Sequence, residues 1–488
     1  MPSIIKIIGA VSLCLGPITA LSSEFDLVIH NGRVIDPESG LDATRNIGIR
    51  AGRIAAISAD TLTGVQSIDA SNLVVAPGFI DIHSHTPTPF GQDLNALDGV
   101  TTQLDTEAGA YPNYLYGDAI QDHPRLNFGA SVGYYAIRMK VIEGRDQPYF
   151  FYKDKQASMK GPTWQQVATP EQIEEMRQHL IEGLAQGGLG IGLLLDYMTD
   201  AVSEAELQMI FEVASEHHVP VFTHVRRGMP GDPAGLEEIL ALAEKYETGV
   251  FICHITHNAM QGVGDWLKRI DATRAKGIPV ATETLSYLAG GTSISADVFR
   301  KRDWQSIFNI TYEDVQWVET GEWLNKERWD YFAKNHPGGA VNHHYVKEEG
   351  LVTALQWPNM MISTDALPAF SRAQFSNPNI SGTFSLVLGE YVREKELLTL
   401  SDALAKMSLK QAQWLEPFAS DFRYKGRIQT GMDADIVIFD ADTVDAVADY
   451  GTPYEPSAGI EWVIVNGEVT VDKGELTKAG AGRRLTTR

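Results

Sequence analysis

The sequence predicts a (β/α)8 barrel with a small β-sandwich assembled from both chain ends. Three observations carry this expectation. Short apolar runs alternate with helical stretches through the middle of the chain, which implies a parallel sheet. The runs fall within about 300 residues, where a barrel takes about 250 plus insertions. Both ends share a different texture, with short β-rich runs broken by turn residues. At 488 residues the chain exceeds one compact core, so one large unit and one smaller unit are expected. A doubly wound open sheet is the competing architecture, and the sequence offers no Gly-rich phosphate loop to support it.

The elements follow in order. Residues 1–22 contain Lys6, an apolar run from Ile7 to Leu15 and small residues in "ITALSS", the pattern of a secretory signal peptide. A periplasmic or secreted protein is therefore expected. Residues 23–75 are broken at "HNG", "DPESG" and "RAG" and read as hairpins, the first part of the sandwich. The barrel is expected over 76–424, on the strands "VVAPGFIDIH", "TTQLDT", "FGASVGYY", "GLGIGLLL", "VPVFTHV", "GVFICHI", "IPVATETL" and "NMMISTD". Helices such as "TPEQIEEMRQHLIEGLAQ" and "SEAELQMIFEVASEHH" lie between several of them. A long aromatic connection, about 290–357, reads as an ordered lid over the barrel mouth, since connections this long are functional or disordered. Residues 425–478 return to the hairpin texture and complete the sandwich.

Composition narrows the function. The hydrophobic share is 44% and the charged share 21%, ordinary for a globular protein. The net charge of −23 argues against nucleic acid or an anionic membrane as partner of the mature chain, because both need a basic patch. The expected partner is a small-molecule substrate, and homo-oligomer formation is left open. Cys14 and Cys253 are the two cysteines, too few for a disulfide framework or a Cys-rich zinc cluster.

The chemistry sits at the C-terminal ends of the strands, where barrels place their active sites. "PGFIDIHSHTPTP" puts His83 and His85 two apart, so both imidazoles project to one side. Strand two ends near Glu107, with Asp105 on the same face; strand five carries His224, strand six His254 and strand eight Asp365. Each alone reads as a satisfied polar residue. Together they bring four imidazoles and two carboxylates to one cleft, a ligand set suited to Zn2+ or another divalent ion. His83, His85 and Glu107 are expected to hold one ion. His224 and His254 are expected to hold a second, with Glu107 as a bridge; a single ion is the alternative. His257 and the pair His343-His344 read as structural or lid residues.

The chain resembles the amidohydrolase superfamily. "PGFIDIHSH", "DGVTT", His224, His254, Asp365 and the closing "GRIQTGMDADIVIFD" carry the resemblance, which spans about residues 25–475. "GLGIGLLLDY" (188–197), "SYLAGGTSI" (286–294) and "SGTFSLVLGEYVRE" (381–394) make it most similar to the D-aminoacylase and N-acyl-D-glutamate deacylase branch. The resemblance implies a metal-dependent amide hydrolase on a (β/α)8 barrel. It also implies Asp365 as the base that takes a proton from metal-activated water. The departures are specific. The Asn-Cys-Gly turn of the branch is "TEAG" here, which makes Glu107 the ligand in place of a cysteine, with Ala108 beside it. Strand four has no lysine to be carboxylated, and Pro87 stands where an Asp is common. Asn379 replaces the carboxylate-binding Arg, and Thr256 replaces a Lys. Arg226, two residues past His224, is expected to contact the substrate carboxylate instead, with Arg372 as second choice. Tyr287, at the end of strand seven, is expected to hydrogen-bond substrate or to pack under the lid.

Three functions remain open on this reading. The first is hydrolysis of linear N-acyl amino acids of D configuration. The second is hydrolysis of cyclic amides or dipeptides on the same metal centre. The third is a catalytically silent periplasmic binding protein.

Overall fold

The strand Ile436–Phe439 shows how the two ends of the chain are joined. Its residues alternate between two cores, as a strand buried on both faces must. Ile436 and Ile438 pack with Ile29, Ile47 and Ile54 inside the terminal sheet. Val437 and Phe439 pack with Phe79, Leu97 and Phe384 of the barrel layer. The same strand pairs antiparallel with Val74–Pro77, from the other end of the sequence. Both chain ends thus enter one nine-stranded sheet, to which the C-terminal segment gives Ile436–Phe439, Ile460–Val465, Glu468–Asp472 and Glu475–Leu476. The computed structural model describes residues 24–150 and 159–487; the expected leader, 1–22, lies outside them.

The barrel is an eight-stranded sheet in which spatial order follows chain order. Its strands are Phe79–Asp81, Val100–Ala110, Asn127–Gly133, Ile191–Leu194, Val221–His224, Val250–Ile252, Val280–Thr284 and Met361–Ile362. Every neighbouring pair is parallel. The first and last strands meet just beyond their C-terminal ends, where Ser84 bridges Ala366. The Asp365 N–H donates to the His83 carbonyl at 2.7 Å and the His85 N–H to the Ala366 carbonyl at 3.0 Å. Closure therefore occurs beside His83, His85 and Asp365. Strand five shows the inward and outward alternation: Val221 packs with helix residues Leu236 and Ile239, while Phe222 joins Phe251, Met361 and Leu415 in a separate cluster. His224 shares the Phe222 face.

Helices end as their sequences require. Thr169 caps Pro170–Ala185 through a reciprocal pair with Gln172, and Pro170 occupies the first turn, where its missing N–H costs nothing. Among the described residues no helix is long and apolar enough to cross a membrane.

The long connection is ordered. Ala289–Ser293, Ala340–His344, Val315–Trp317 and Glu322–Trp323 form a four-stranded antiparallel sheet. Its tryptophans form a core: Trp317 stacks on Phe332 with centroids 4.1 Å apart, and Trp304 on Trp329 at 4.9 Å.

Candidate metal centre

Glu107 stands at the middle of the site. It leaves the second barrel strand buried, and its two oxygens face different histidines. Oε2 lies 3.4 Å from His83 Nε2 and 3.6 Å from His85 Nε2. Oε1 lies 3.3 Å from His224 Nδ1 and 2.8 Å from His254 Nε2. Asp365 Oδ1 closes the first group at 3.4 Å from both His83 and His85 Nε2. The structure therefore brings together His83, His85, Glu107, His224, His254 and Asp365, from five strand ends.

The electrostatics call for a cation. His83 Nε2 and His85 Nε2 are 3.2 Å apart. Burial pushes both imidazoles down, yet the carboxylates around them carry both well above the ordinary histidine value: Asp365 and Glu107 for His83, Asp105 above all for His85. Burial likewise pushes the Glu107 and Asp365 carboxyls up, and His83 leads the histidines that bring both down. Positive charge between these groups is what the site lacks, and either protons or a divalent ion supply it. His224 differs: burial and His254 hold its imidazole low, so it is neutral. Its buried Nδ1 lies 3.3 Å from Glu107 Oε1 without a well-aligned hydrogen bond to it or to any other described residue. A neutral imidazole nitrogen beside a carboxylate has the chemistry of a metal ligand. Three sets have their donor atoms within 4.8 Å of one another among the described residues: His83–His85–Glu107, Glu107–His224–His254 and, behind His83, His83–Cys253–Glu283. Burial pushes the Cys253 thiol well up, which keeps it protonated and disfavours the third set.

Two of the site residues carry backbone strain. His254 at φ +33° and Asp365 at φ +45° both occupy the left-handed region, two and three residues beyond their barrel strands. Such conformations persist at sites where the surroundings hold them. Behind the first group, Glu283 Oε1 accepts from His83 Nδ1 at 3.0 Å and also from the His254 N–H, while its Oε2 accepts from Ser363 Oγ at 2.8 Å. That fixes the His83 proton on Nδ1 and aims the Nε2 lone pair into the site. Glu283 was missed from sequence, although "VATET" puts it at the C-terminal end of strand seven, where the rule that found the other residues applies.

The three expected substrate contacts lie elsewhere. Arg226 turns away from the cleft: its guanidinium bonds the Thr199 and Val202 carbonyls and pairs with Glu238. Strand five stops at His224, so two-residue alternation does not carry on to Arg226. Arg227 enters the cleft instead. Tyr287 lies three residues past the end of strand seven and donates to the Ala448 carbonyl at 2.8 Å, packing against Tyr450. Arg372 sits over Phe90 near the Tyr454 carbonyl. None of the three lines the cleft, whose walls include His85, Glu107, Asp196, Arg227, His343 and Asp365. His343, read from sequence as a structural or lid residue, faces this space from the lid strand Ala340–His344. The cleft opens to solvent and is lined by both charged and apolar side chains, the mixed lining of a small-molecule site.

Comparison with known proteins places the chain in a family. Residues 74–470 fit the model of the amidohydrolase family. The N-acyl-D-glutamate deacylase of Alcaligenes xylosoxydans xylosoxydans is 29% identical over 492 residues, covering 92% of this chain and 94% of that protein. The D-aminoacylase of the same organism is 29% identical over 511 residues, covering 95% and 98%. The crystal structure of N-acyl-D-glutamate deacylase from Bordetella bronchiseptica, complexed with zinc and a phosphonate mimic of the tetrahedral intermediate, superimposes with a TM-score of 0.77. It is 25% identical and covers 95% of this chain and 99% of that one.

Proposed function

The chain belongs to the amidohydrolase family, and from that premise we propose that it removes the acyl group from N-acyl-D-amino acids with a divalent metal as cofactor. The observation that carries the reading is Glu107, with one oxygen on His83 and His85 and the other on His224 and His254. His83, His85, Glu107 and Asp365 would hold one ion; Glu107, His224 and His254 would hold a second. The nitrogen and oxygen donors suit zinc. Bound there, a divalent ion polarises the scissile carbonyl and lowers the pKa of water towards ~7.

The protein's own groups do the rest. Asp365, held ionised by His83 and His85, takes the proton from the attacking water and passes it to the leaving nitrogen. Glu283 keeps His83 in the tautomer that presents Nε2. The relatives named for deacylation of N-acyl-D-amino acids support linear substrates, as does the cationic Arg227 in the cleft wall. The presence of Asp365 among the full donor set supports an enzyme over a silent binding protein. Export to the periplasm or beyond is proposed on the leader sequence alone.

Asp365→Asn tests the assignment. Metal content measured by elemental analysis should stay near the wild-type value, while amine release falls by about 10²–10⁴, the usual weight of a general base. Undiminished release in the variant removes Asp365 as the base.

A further inference from the structure

Arg227 is a buried cation with unused hydrogen-bonding capacity. It is 8% exposed and lines the cleft. One terminal nitrogen donates to Asn258 Oδ1 at 3.0 Å and sits 3.4 Å from His224 Nε2. Its guanidinium lies 5.2 Å from the Phe308 ring and 6.0 Å from the Tyr345 ring. Its Nε has no partner among the described residues.

A second orphan stands beside it. His343, on the lid strand Ala340–His344, is 3% exposed; the Gly290 backbone lies beside its ring, but neither ring nitrogen has a well-aligned hydrogen bond among the described residues. It packs on the same two rings, 4.8 Å from Phe308 and 4.8 Å from Tyr345. Burial and the neighbouring Arg227 hold its imidazole well below the ordinary histidine value, so it is neutral and offers one N–H. Unmet donors buried on one wall are costly unless a ligand acceptor meets them.

Resting on the function proposed above, we infer that Arg227 and His343 together form the subsite for the free carboxylate of the substrate, one donor from the barrel and one from the lid. A carboxylate is planar and matches the guanidinium fork. Arg227 adjoins His224, so an anion held there lies close to the metal group, as the carboxylate of an N-acyl amino acid lies close to its scissile amide. A cyclic amide without a carboxylate leaves both donors unmet. Met159, Leu194, Val298 and Leu367 supply an apolar wall to the same cleft, which suits an apolar side chain.

The test compares N-acetyl-D-leucine with N-acetyl-D-leucinamide, which differ in the carboxylate alone, on metal-loaded wild type, Arg227→Gln, Arg227→Lys and His343→Phe. Elemental analysis and melting temperature confirm that each variant holds metal and folds. Wild type should prefer the acid. Arg227→Gln should raise KM for the acid roughly 10- to 150-fold, the loss of a hydrogen bond to a charged group, and raise KM for the amide far less. Arg227→Lys should recover part of the preference, and His343→Phe should lose part. A metal-loaded Arg227→Gln that keeps the wild-type preference for the acid overturns the subsite and leaves the deacylase reading intact. Should Arg227→Gln not fold, the two His343→Phe values decide in the same way. Wild type that turns over neither compound and, by calorimetry, binds neither overturns the deacylase reading and the subsite with it.

Discussion

Glu283 never touches the cleft, yet it sets the chemistry of a residue that does. By accepting from His83 Nδ1 at 3.0 Å it leaves Nε2 as a lone pair facing Glu107 and Asp365. Glu283→Gln can present an amide N–H to that nitrogen in place of an acceptor, which favours the wrong tautomer. Metal affinity should fall about 10–100-fold, the usual weight of such a supporting carboxylate. Competition against a chelator of known affinity reads this directly, and an unchanged affinity would remove Glu283 from the site. Glu107 and His224 were legible in the sequence because they sit at the ends of regular strands, and His83 and His85 because isolated bridges from His83 to Asp105 and from Ser84 to Ala366 hold the chain just past the strand Phe79–Asp81. Arg226 was the wrong arginine because the strand ends at His224 and the chain turns within two residues. Tyr287 and Arg372 likewise lie in turns, where side-chain direction depends on contacts distant in sequence.

At the scale of elements, the junction of the first and last strands carries the site. His83 and Asp365 share a backbone hydrogen bond at 2.7 Å, so barrel closure and the first ligand group form together. The lid is a separate matter. Its aromatic content suggested order, and its core explains why: Trp317 is 1% exposed and stacked on Phe332. The pairing of its strands was not legible, because the partners Ala289–Ser293 and Ala340–His344 are separated by most of the insertion. Trp317→Ala removes that ring and should cost about 3–5 kcal/mol locally. Limited proteolysis should then cut the lid first while metal content stays at the wild-type level. Metal loss in step with lid cleavage would show that the lid and the metal groups unfold as one.

For the whole molecule, the terminal sheet is a clamp across the two chain ends. Apolar alternation made its strands legible; the polar joint beneath it was not, since its members are scattered in sequence. Lys425 is buried and pairs with Asp433 at 3.1 Å and Asp435 at 2.6 Å. Asp435 also accepts from Asn127 Nδ2, on the third barrel strand, and from the Asn466 N–H in the terminal sheet. Lys425→Met leaves the buried Asp435 without its cation, at about 3–5 kcal/mol, while Asp433 keeps Arg483 and Arg53. The urea midpoint should fall accordingly with the slope kept; an unmoved midpoint would show that the joint adds nothing to stability.

The first measurement is free-amine release by the purified, zinc-supplemented protein from N-acetyl and N-formyl amino acids, D and L, beside a chelated control. Release confined to D substrates and abolished by the chelator is the expected result. Release that survives chelation contradicts the metal-dependent reading, and no release from any linear substrate by protein with bound metal contradicts the deacylase.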